Sequence, residues 1–118
     1  MAGLVSRWVD RYSVERQEDD ELRRRTVAAG CAAIKDVPSR EVTEVHGVLN
    51  SVALRPIGDA TALEAELYDG TGSITLIWLG RRRIEGISPG RSLTATARIG
   101  LRGTERVMYN PAYRLDAS

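Results

Sequence analysis

A short turn motif between two strand-like segments constrains this fold more than any other feature of the sequence. Residues 69–73 read Asp-Gly-Thr-Gly-Ser. The segment before them, 63–68, alternates apolar and polar residues, which is the pattern of a half-buried strand. The segment after them, 74–79, is apolar and rich in β-branched residues, as in a more buried strand. Because glycine accepts positive φ and aspartate bonds its own backbone in turns, the sequence predicts a β-hairpin over 63–79.

Five strands in total are predicted. They are 41–54, 63–68, 74–79, 92–99 and 106–110, with loops at 56–59 and 100–103, a connector at 81–87 that has at most one helical turn, and a trailing segment at 112–115. Gly47 interrupts the inward-facing pattern of the first strand, which predicts a bulge or a sharp bend there. One long, bent first strand can serve both sides of a small barrel. Because no helices alternate with the strands, a parallel α/β sheet is excluded. The predicted fold is mainly β, a five-stranded OB-fold Greek-key barrel over 39–118.

Residues 1–38 are predicted to form an N-terminal helical arm, amphipathic in its first part and highly charged in its second, with residues 3–34 mainly helical. Leu4, Trp8 and Tyr12 recur at helical spacing and are expected to face an apolar surface, on the domain or on a partner protein. Attachment to a membrane surface is an alternative, although so short a stripe anchors poorly. Residues 17–25 place acids before bases, which suits a helix that could continue to Ile34 and must end near Pro38. A self-paired charged helix explains the arginines at 23–25 better than a nucleic-acid patch does.

The sequence contains no recognisable catalytic or metal-binding pattern. His46 is its only histidine and Cys31 its only cysteine, and that pair has no third residue to orient it. A histidine on the strand surface and a buried cysteine are the default expectations. The 69–73 motif lacks the Gly-Lys-Ser/Thr of a phosphate-binding loop. We therefore expect a protein that is not an enzyme and that needs no cofactor or metal.

The cellular setting is predicted from what the chain lacks. No apolar run approaches the roughly 18 residues of a membrane helix, and Arg7 and Asp10 interrupt the short apolar start that a signal peptide would need. One cysteine cannot form an intrachain disulfide, which fits a reducing compartment. A cytoplasmic protein without a membrane span is expected.

The charge distribution suggests a binding surface. Residues 41–72 carry a net charge of −5 and residues 73–118 a net charge of +5, although the whole chain carries only +1. A basic half beside an acidic half can steer a polyanion or dock a complementary protein. Sixteen of the seventeen basic residues are arginine, and we attribute part of that excess to a GC-rich coding bias.

Several short motifs, in order, resemble one family. They are Val-His-Gly-Val at 45–48, Glu-Leu-Tyr-Asp-Gly-Thr-Gly at 66–72, Ile-Thr-Leu-Ile-Trp-Leu at 74–79, Pro-Gly-Arg at 89–91 and Met-Tyr-Asn-Pro-Ala-Tyr at 108–113. The series resembles the anticodon-binding-like OB-fold domains, above all the wedge domain of the bacterial RecG-type branched-DNA helicase. The resemblance covers about two-thirds of the chain and implies a stand-alone bacterial relative without the helicase motor. It implies non-catalytic, largely sequence-independent binding of single-stranded or branched nucleic acid, with DNA favoured over RNA. The family's Trp-Phe pair reads Trp78-Leu79 in this chain.

Single-strand binders combine cations for phosphates with flat side chains for bases. The predicted contact residues are Arg55, Tyr68, Trp78, Arg81, Arg82, Arg83, Arg98, Arg102 and Arg106. Trp78 shares its strand face with core positions, so it can instead be a core residue. The arginines can instead pair with nearby acids such as Glu64 and Glu66, which are expected to point outward.

The competing function is that of an OB-type docking or regulatory module without affinity for nucleic acid. OB barrels also bind proteins, and the helical arm offers a surface for a protein partner. Ile77 and Leu79, which are expected to face outward on the third strand, could cover that arm or a partner.

Overall fold

The described chain is mainly β-sheet with one helix at its N-terminal side. The computed structural model of the protein describes residues 17–117. Within them, an α-helix, α1, spans 17–28 and a 3-10 turn spans Ile34–Asp36. Six strands follow: β1 (Val42–Ile57), β2 (Ala60–Tyr68), β3 (Ser73–Leu79), β4 (Ser92–Arg102), β5 (Glu105–Tyr109) and β6 (Ala112–Leu115). The prediction of a mainly β fold behind an N-terminal helix is confirmed, whereas the predicted positions of Leu4, Trp8 and Tyr12 lie outside the described residues.

The six strands form one sheet that closes partly into a ring. Their order is β1-β2-β3-β5-β4-β6, and β1 also pairs with β4. All pairs are antiparallel except β3 with β5, which is parallel. The predicted hairpin is confirmed, because β2 and β3 pair in register from Tyr68↔Ser73 to Ala62↔Leu79.

The long first strand serves two partners, as predicted. Its first part, Val42 to Val48, pairs with β4, and its second part, Val48 to Ile57, pairs with β2. Gly47 lies where the partner changes, and a Cβ there would stand 2.4 Å from the carbonyl oxygen of Tyr68. No larger residue fits so close to a neighbouring backbone. The register shift itself lies between Leu49 and Ser51, not at Gly47.

Three segments predicted as loops or as a tail are strands. Residues 56–57 extend β1 to a two-residue turn at 58–59, where Gly58 has a φ of 58°. Pro56 is tolerated because this part of β1 pairs only with β2 and leaves its other edge free of described strands. Residues 100–102 extend β4, and 112–115 form β6, which adds to the edge of β4 beyond the end of β5.

The helix ends earlier than the charge pattern suggested. Residue 28 is its last residue, and Gly30 follows with a φ of 76°. The amide of Gly30 donates to the carbonyl of Val27 at 3.0 Å and the amide of Cys31 to that of Thr26 at 3.3 Å, which is the Schellman arrangement. The expectation that the helix continues to Ile34 is therefore wrong, because Gly30 turns the chain.

The interior of the ring is apolar and draws on segments outside the strands. Ile34 and Val37 pack into it from the 3-10 segment, ahead of the predicted domain boundary at residue 38. Ile84 and Ile87 pack into it from the connector between β3 and β4. That connector holds a turn, closed by a bond from the amide of Ile87 to the carbonyl of Ile84, but no helix.

The turn that organises the sequence also fixes the N-terminal segment. The Asp69 side chain is buried, and it accepts four hydrogen bonds: from the Thr71 amide, the Thr71 hydroxyl, the Gly72 amide and, at 2.8 Å, the Ile34 amide. The hydroxyl of Thr71 also accepts the Lys35 amide at 3.3 Å. The β2–β3 turn therefore holds the 3-10 segment in place, and Ile34 with it.

Candidate nucleic-acid interface

Three consecutive arginines, Arg81, Arg82 and Arg83, follow β3 after one glycine. We call them the arginine loop. All three are exposed. Gly80, with a φ of 73°, turns the chain out of the strand, and its amide donates to the carbonyl of Thr61 at 2.8 Å. Within residues 17–117 no carboxylate forms an ion pair with any of the three. The arginine loop therefore holds three exposed guanidinium groups that no described carboxylate neutralises.

Two other predicted contact residues, Arg55 and Arg102, are held by acids on the outer face of the ring. Arg102 lies 2.5 Å from Oε1 of Glu64 and 3.2 Å from Oε2 of Glu105. Arg55 lies 3.6 Å from Oε2 of Glu64. Hydrogen bonds, first to Glu64 and then to Glu105, raise the pKa of Arg102. Arg55 and Arg102 therefore form ion pairs with nearby acids, as the alternative to nucleic-acid contact expected.

The groove around these ion pairs is lined by residues of β1, β2, β3, β4 and β5. Glu64, Glu66 and Glu105 line it together with Arg55 and Arg102, so its carboxylates outnumber its guanidinium groups. A hydrogen bond from Thr75 and, after it, the contact with Arg102 lower the pKa of Glu105, which keeps this carboxylate charged. A phosphate entering here would meet three carboxylates.

Arg98 and Arg106 bind backbone carbonyls instead of carboxylates. Arg98 donates through Nη1 to the carbonyl of Arg40 at 2.5 Å. Arg106 donates through Nη2 to the carbonyl of Lys35 at 2.9 Å, which ties β5 to the 3-10 segment. Neither interaction neutralises the guanidinium. Arg98 is exposed, whereas Arg106 is half-buried.

Trp78 and Tyr68, the two aromatic residues predicted to stack on bases, are both at least partly buried. Trp78 is 5% exposed, its ring meets Tyr113 edge to face at 5.8 Å, and its Nε1 donates to the carbonyl of Pro111 at 3.2 Å. It is a core residue, so the stacking role fails for lack of an open ring face. Tyr68 is half-buried at the end of β2, beside the groove under α1. Burial first, and then the charge of Asp19 on α1, raises the pKa of Tyr68.

Tyr109, which was not among the predicted contact residues, has an exposed ring. Its neighbours in β5, Val107 and Met108, are both fully buried, whereas Tyr109 is 46% exposed. The signal that could have found it is its position, the last residue of a strand before Asn110 and Pro111. At the end of a strand, an outward-facing aromatic ring has fewer neighbouring side chains to bury it.

A buried polar network connects the helix, the sheet and the C-terminal segment. His46 is 2% exposed. Its Nε2 lies 2.7 Å from Oδ2 of Asp116, and its Nδ1 lies 3.2 Å from the hydroxyl of Thr26 on α1. Because a carboxylate only accepts, Nε2 carries the donated proton. Thr26 and His46 are both buried, so the network anchors the helix and has no access for a substrate.

The expectations for the histidine and the cysteine are therefore both corrected. His46 is buried under α1 instead of lying on the strand surface. Cys31 is half-buried, and partial burial raises the pKa of its thiol, with the charge of Glu44 acting in the same direction. A raised thiol pKa lowers the thiolate fraction and hence its reactivity.

Within residues 17–117 no group of three or more His, Cys, Asp or Glu side chains is arranged to hold a metal ion. In the same part of the chain, no helix has the length and apolar character needed to cross a membrane. Comparison of the chain with models of known protein families and with curated protein sequences found no match to either.

Proposed function

We propose that the ring is an OB-fold barrel related to the wedge domain of RecG-type helicases. Three features support the proposal: the closed order β1-β2-β3-β5-β4-β1, the parallel pairing of β3 with β5, and a bent first strand shared by two neighbours. A five-stranded Greek-key barrel of this kind commonly binds oligonucleotides.

The proposed function is binding of single-stranded or branched nucleic acid, preferably DNA, without catalysis and with little dependence on sequence. The observation that carries it is the arginine loop, whose three guanidinium groups are exposed and unpaired with any described carboxylate. Arginine binds phosphate through two parallel hydrogen bonds, and such contacts read no base.

Further charge lies at the same end of the ring. β3 and β5 run parallel, so the arginine loop after β3 and Tyr109 at the end of β5 lie at the same end. Arg98 lies within β4, and it comes opposite Tyr109 when the antiparallel register of β4 with β5 is continued by one residue. The proposed surface therefore consists of the arginine loop and Arg98, and excludes the acid-lined groove that holds Arg55 and Arg102.

The experiment is a fluorescence anisotropy titration with labelled single-stranded, duplex and forked DNA at several salt concentrations. The variant R81A/R82A/R83A should bind single strands more weakly and should reduce the slope of log K against log salt by about two, at ~0.7 for each phosphate contact. The matched control, R23A/R24A/R25A on α1, removes the same charge where Arg24 and Arg25 already pair with Glu21. It should keep the wild-type slope.

Equal slopes for wild type and R81A/R82A/R83A would remove the arginine loop from the interface. Absence of any binding by the wild type at low salt would replace the proposal with the docking alternative. An observation favours that alternative too: Leu54, Ile57 and Leu79 are all exposed, and an exposed apolar group of this kind can meet a protein partner.

A further inference from the structure

A second groove, on the outer surface where β4 and β5 pair, combines cations with an aromatic ring. It is lined by Ser39, Arg40, Arg98, Ile99, Gly100, Leu101 and Tyr109. Two of these seven residues are basic and none is acidic, in contrast to the acid-lined groove over β2 and β3. We call it the Tyr109 groove.

The register of the two strands explains its shape. Ile99 pairs with Met108 and Gly100 with Val107. One more step of the same register brings Arg98 opposite Tyr109, on the outer face of the ring. Gly100 has no side chain, and a Cβ there would lie 3.3 Å from Cγ2 of Val107. The missing side chain leaves a shallow slot beside the ring of Tyr109.

The two arginines are positioned by backbone contacts that leave their charge intact. The amide of Arg40 donates to the carbonyl of Ile99 at 2.7 Å, and the carbonyl of Arg40 accepts from Arg98 at 2.5 Å. Arg40 has a φ of 70°, a left-handed conformation that is uncommon for a residue with a side chain. Within the described residues neither arginine forms an ion pair with a carboxylate.

We propose that the Tyr109 groove binds one unstacked nucleotide of a nucleic-acid strand, with its base on the ring of Tyr109 and its phosphate between Arg98 and Arg40. The inference rests on the proposed function and names the site that selects single strands. A tyrosine face accepts any base, while a guanidinium binds phosphate in two-point contact. A base inside an intact duplex is stacked on both of its faces and paired along one edge, so it cannot enter the slot.

The test compares labelled oligothymidylate with the same strand carrying abasic sites, for wild type and for three variants. Wild type should bind the abasic strand more weakly. Tyr109→Ala should weaken binding to oligothymidylate by about 5- to 150-fold, which corresponds to the loss of one stacked base, and should bind both strands equally. Tyr109→Phe keeps the ring and should match wild type. Arg98→Ala should weaken both strands and lower the salt slope by about 0.7.

Two outcomes separate this inference from the function on which it rests. If wild type binds oligothymidylate and Tyr109→Ala still prefers the base-bearing strand to the wild-type extent, the Tyr109 groove is not the stacking site, while the proposed function stands. If wild type binds neither strand at low salt, the proposed function fails and this inference fails with it. Thermal unfolding of each variant verifies that a loss of binding comes from a folded protein.

Discussion

Some side chains in this protein make contacts that their positions in the sequence only partly predict. Asp69 was predicted as a turn residue, and it is one, but its second carboxylate oxygen also holds the backbone of Ile34, 35 residues away. Trp78 was predicted as a contact residue with a core role as the alternative, and the strand face that it shares with Ile74 and Leu76 pointed to that alternative, which the structure shows. A local pattern can predict the turn and the strand face, because both depend on neighbours in sequence. It cannot identify a distant donor.

Replacing Asp69 by alanine should lower the free energy of unfolding by about 3 kcal/mol, because several buried donors lose their acceptor. Asp69→Asn keeps one carbonyl oxygen and should lie between alanine and wild type. Asp59→Ala, in the exposed β1–β2 turn, is the matched control and should change stability little. Urea unfolding followed by circular dichroism measures all three. Equal stability of Asp69→Ala and Asp59→Ala would contradict the anchoring role.

Tyr68 should make the protein sensitive to alkaline pH. Its pKa is raised above the ordinary value of 10.0, so the folded state retains a proton that the unfolded state releases. The corresponding stability is present below about pH 10 and is lost as the pH rises toward the folded-state pKa, with a slope of at most about 1.4 kcal/mol per pH unit for one proton.

Tyr68→Phe has no phenol to ionise, and it should therefore lose less stability than wild type between about pH 9 and pH 11. Tyr109→Phe, whose ring is exposed, serves as the control. The free energy of unfolding, measured in urea at several pH values, gives the slopes directly. Parallel slopes for wild type and Tyr68→Phe would show that the phenol does not cause the alkaline loss.

At the scale of elements, the hairpin and the bent first strand were predicted from alternation and from one glycine. Boundaries were less accurate. Pro56 indicated a loop, but it lies on a free strand edge that needs no amide donor there. β6 was missed because its four residues carry no strand pattern of their own and depend on the edge that β4 leaves open beyond β5. Predictions from local pattern fail where an element exists only because of its partner.

The predicted arm, residues 1–38, contributes a side chain to the core of the ring. Ile34 is fully buried in the ring interior, so deletion of residues 1–36 removes a core side chain as well as α1. We expect a variant lacking 1–36 to be less stable than one lacking 1–30 by about 3 kcal/mol, the usual cost of losing a large buried aliphatic side chain. Ile34→Ala in the full chain should lose a similar amount.

Circular dichroism and urea unfolding of the two truncated variants measure this difference. If both unfold at the same urea concentration, the ring does not need the 3-10 segment, and the whole arm is separable. The comparison uses the variant lacking 1–30 as its own reference, because both variants lose the contacts between α1 and the sheet.

At the scale of the whole molecule, the sequence separates charge into an acidic and a basic half, but the fold does not keep them apart. Arg102 from the basic half bridges Glu64 from the acidic half and Glu105 from its own. Within the described residues, the arginine loop and Arg98 form no ion pair with a carboxylate. The arrangement of β3, β4 and β5 in the sheet decides which arginines lie near a carboxylate. That arrangement brings together residues far apart in sequence. Composition could therefore predict a basic surface but not its members.

The imidazole of His46 joins a residue near the start of the described chain, Thr26, to one near its end, Asp116. The six strands lie between Thr26 and Asp116 along the chain, so the network links the two ends of the described chain through one side chain of β1. We expect a stretching force applied between α1 and the C-terminal segment to act first on the two contacts of His46 and on the bond from the Asp116 amide to the carbonyl of Ser92, and next on β6, whose four residues make it the shortest strand. We expect the ring to bear the force last. We therefore expect α1 and β6 to detach from the sheet before the ring opens.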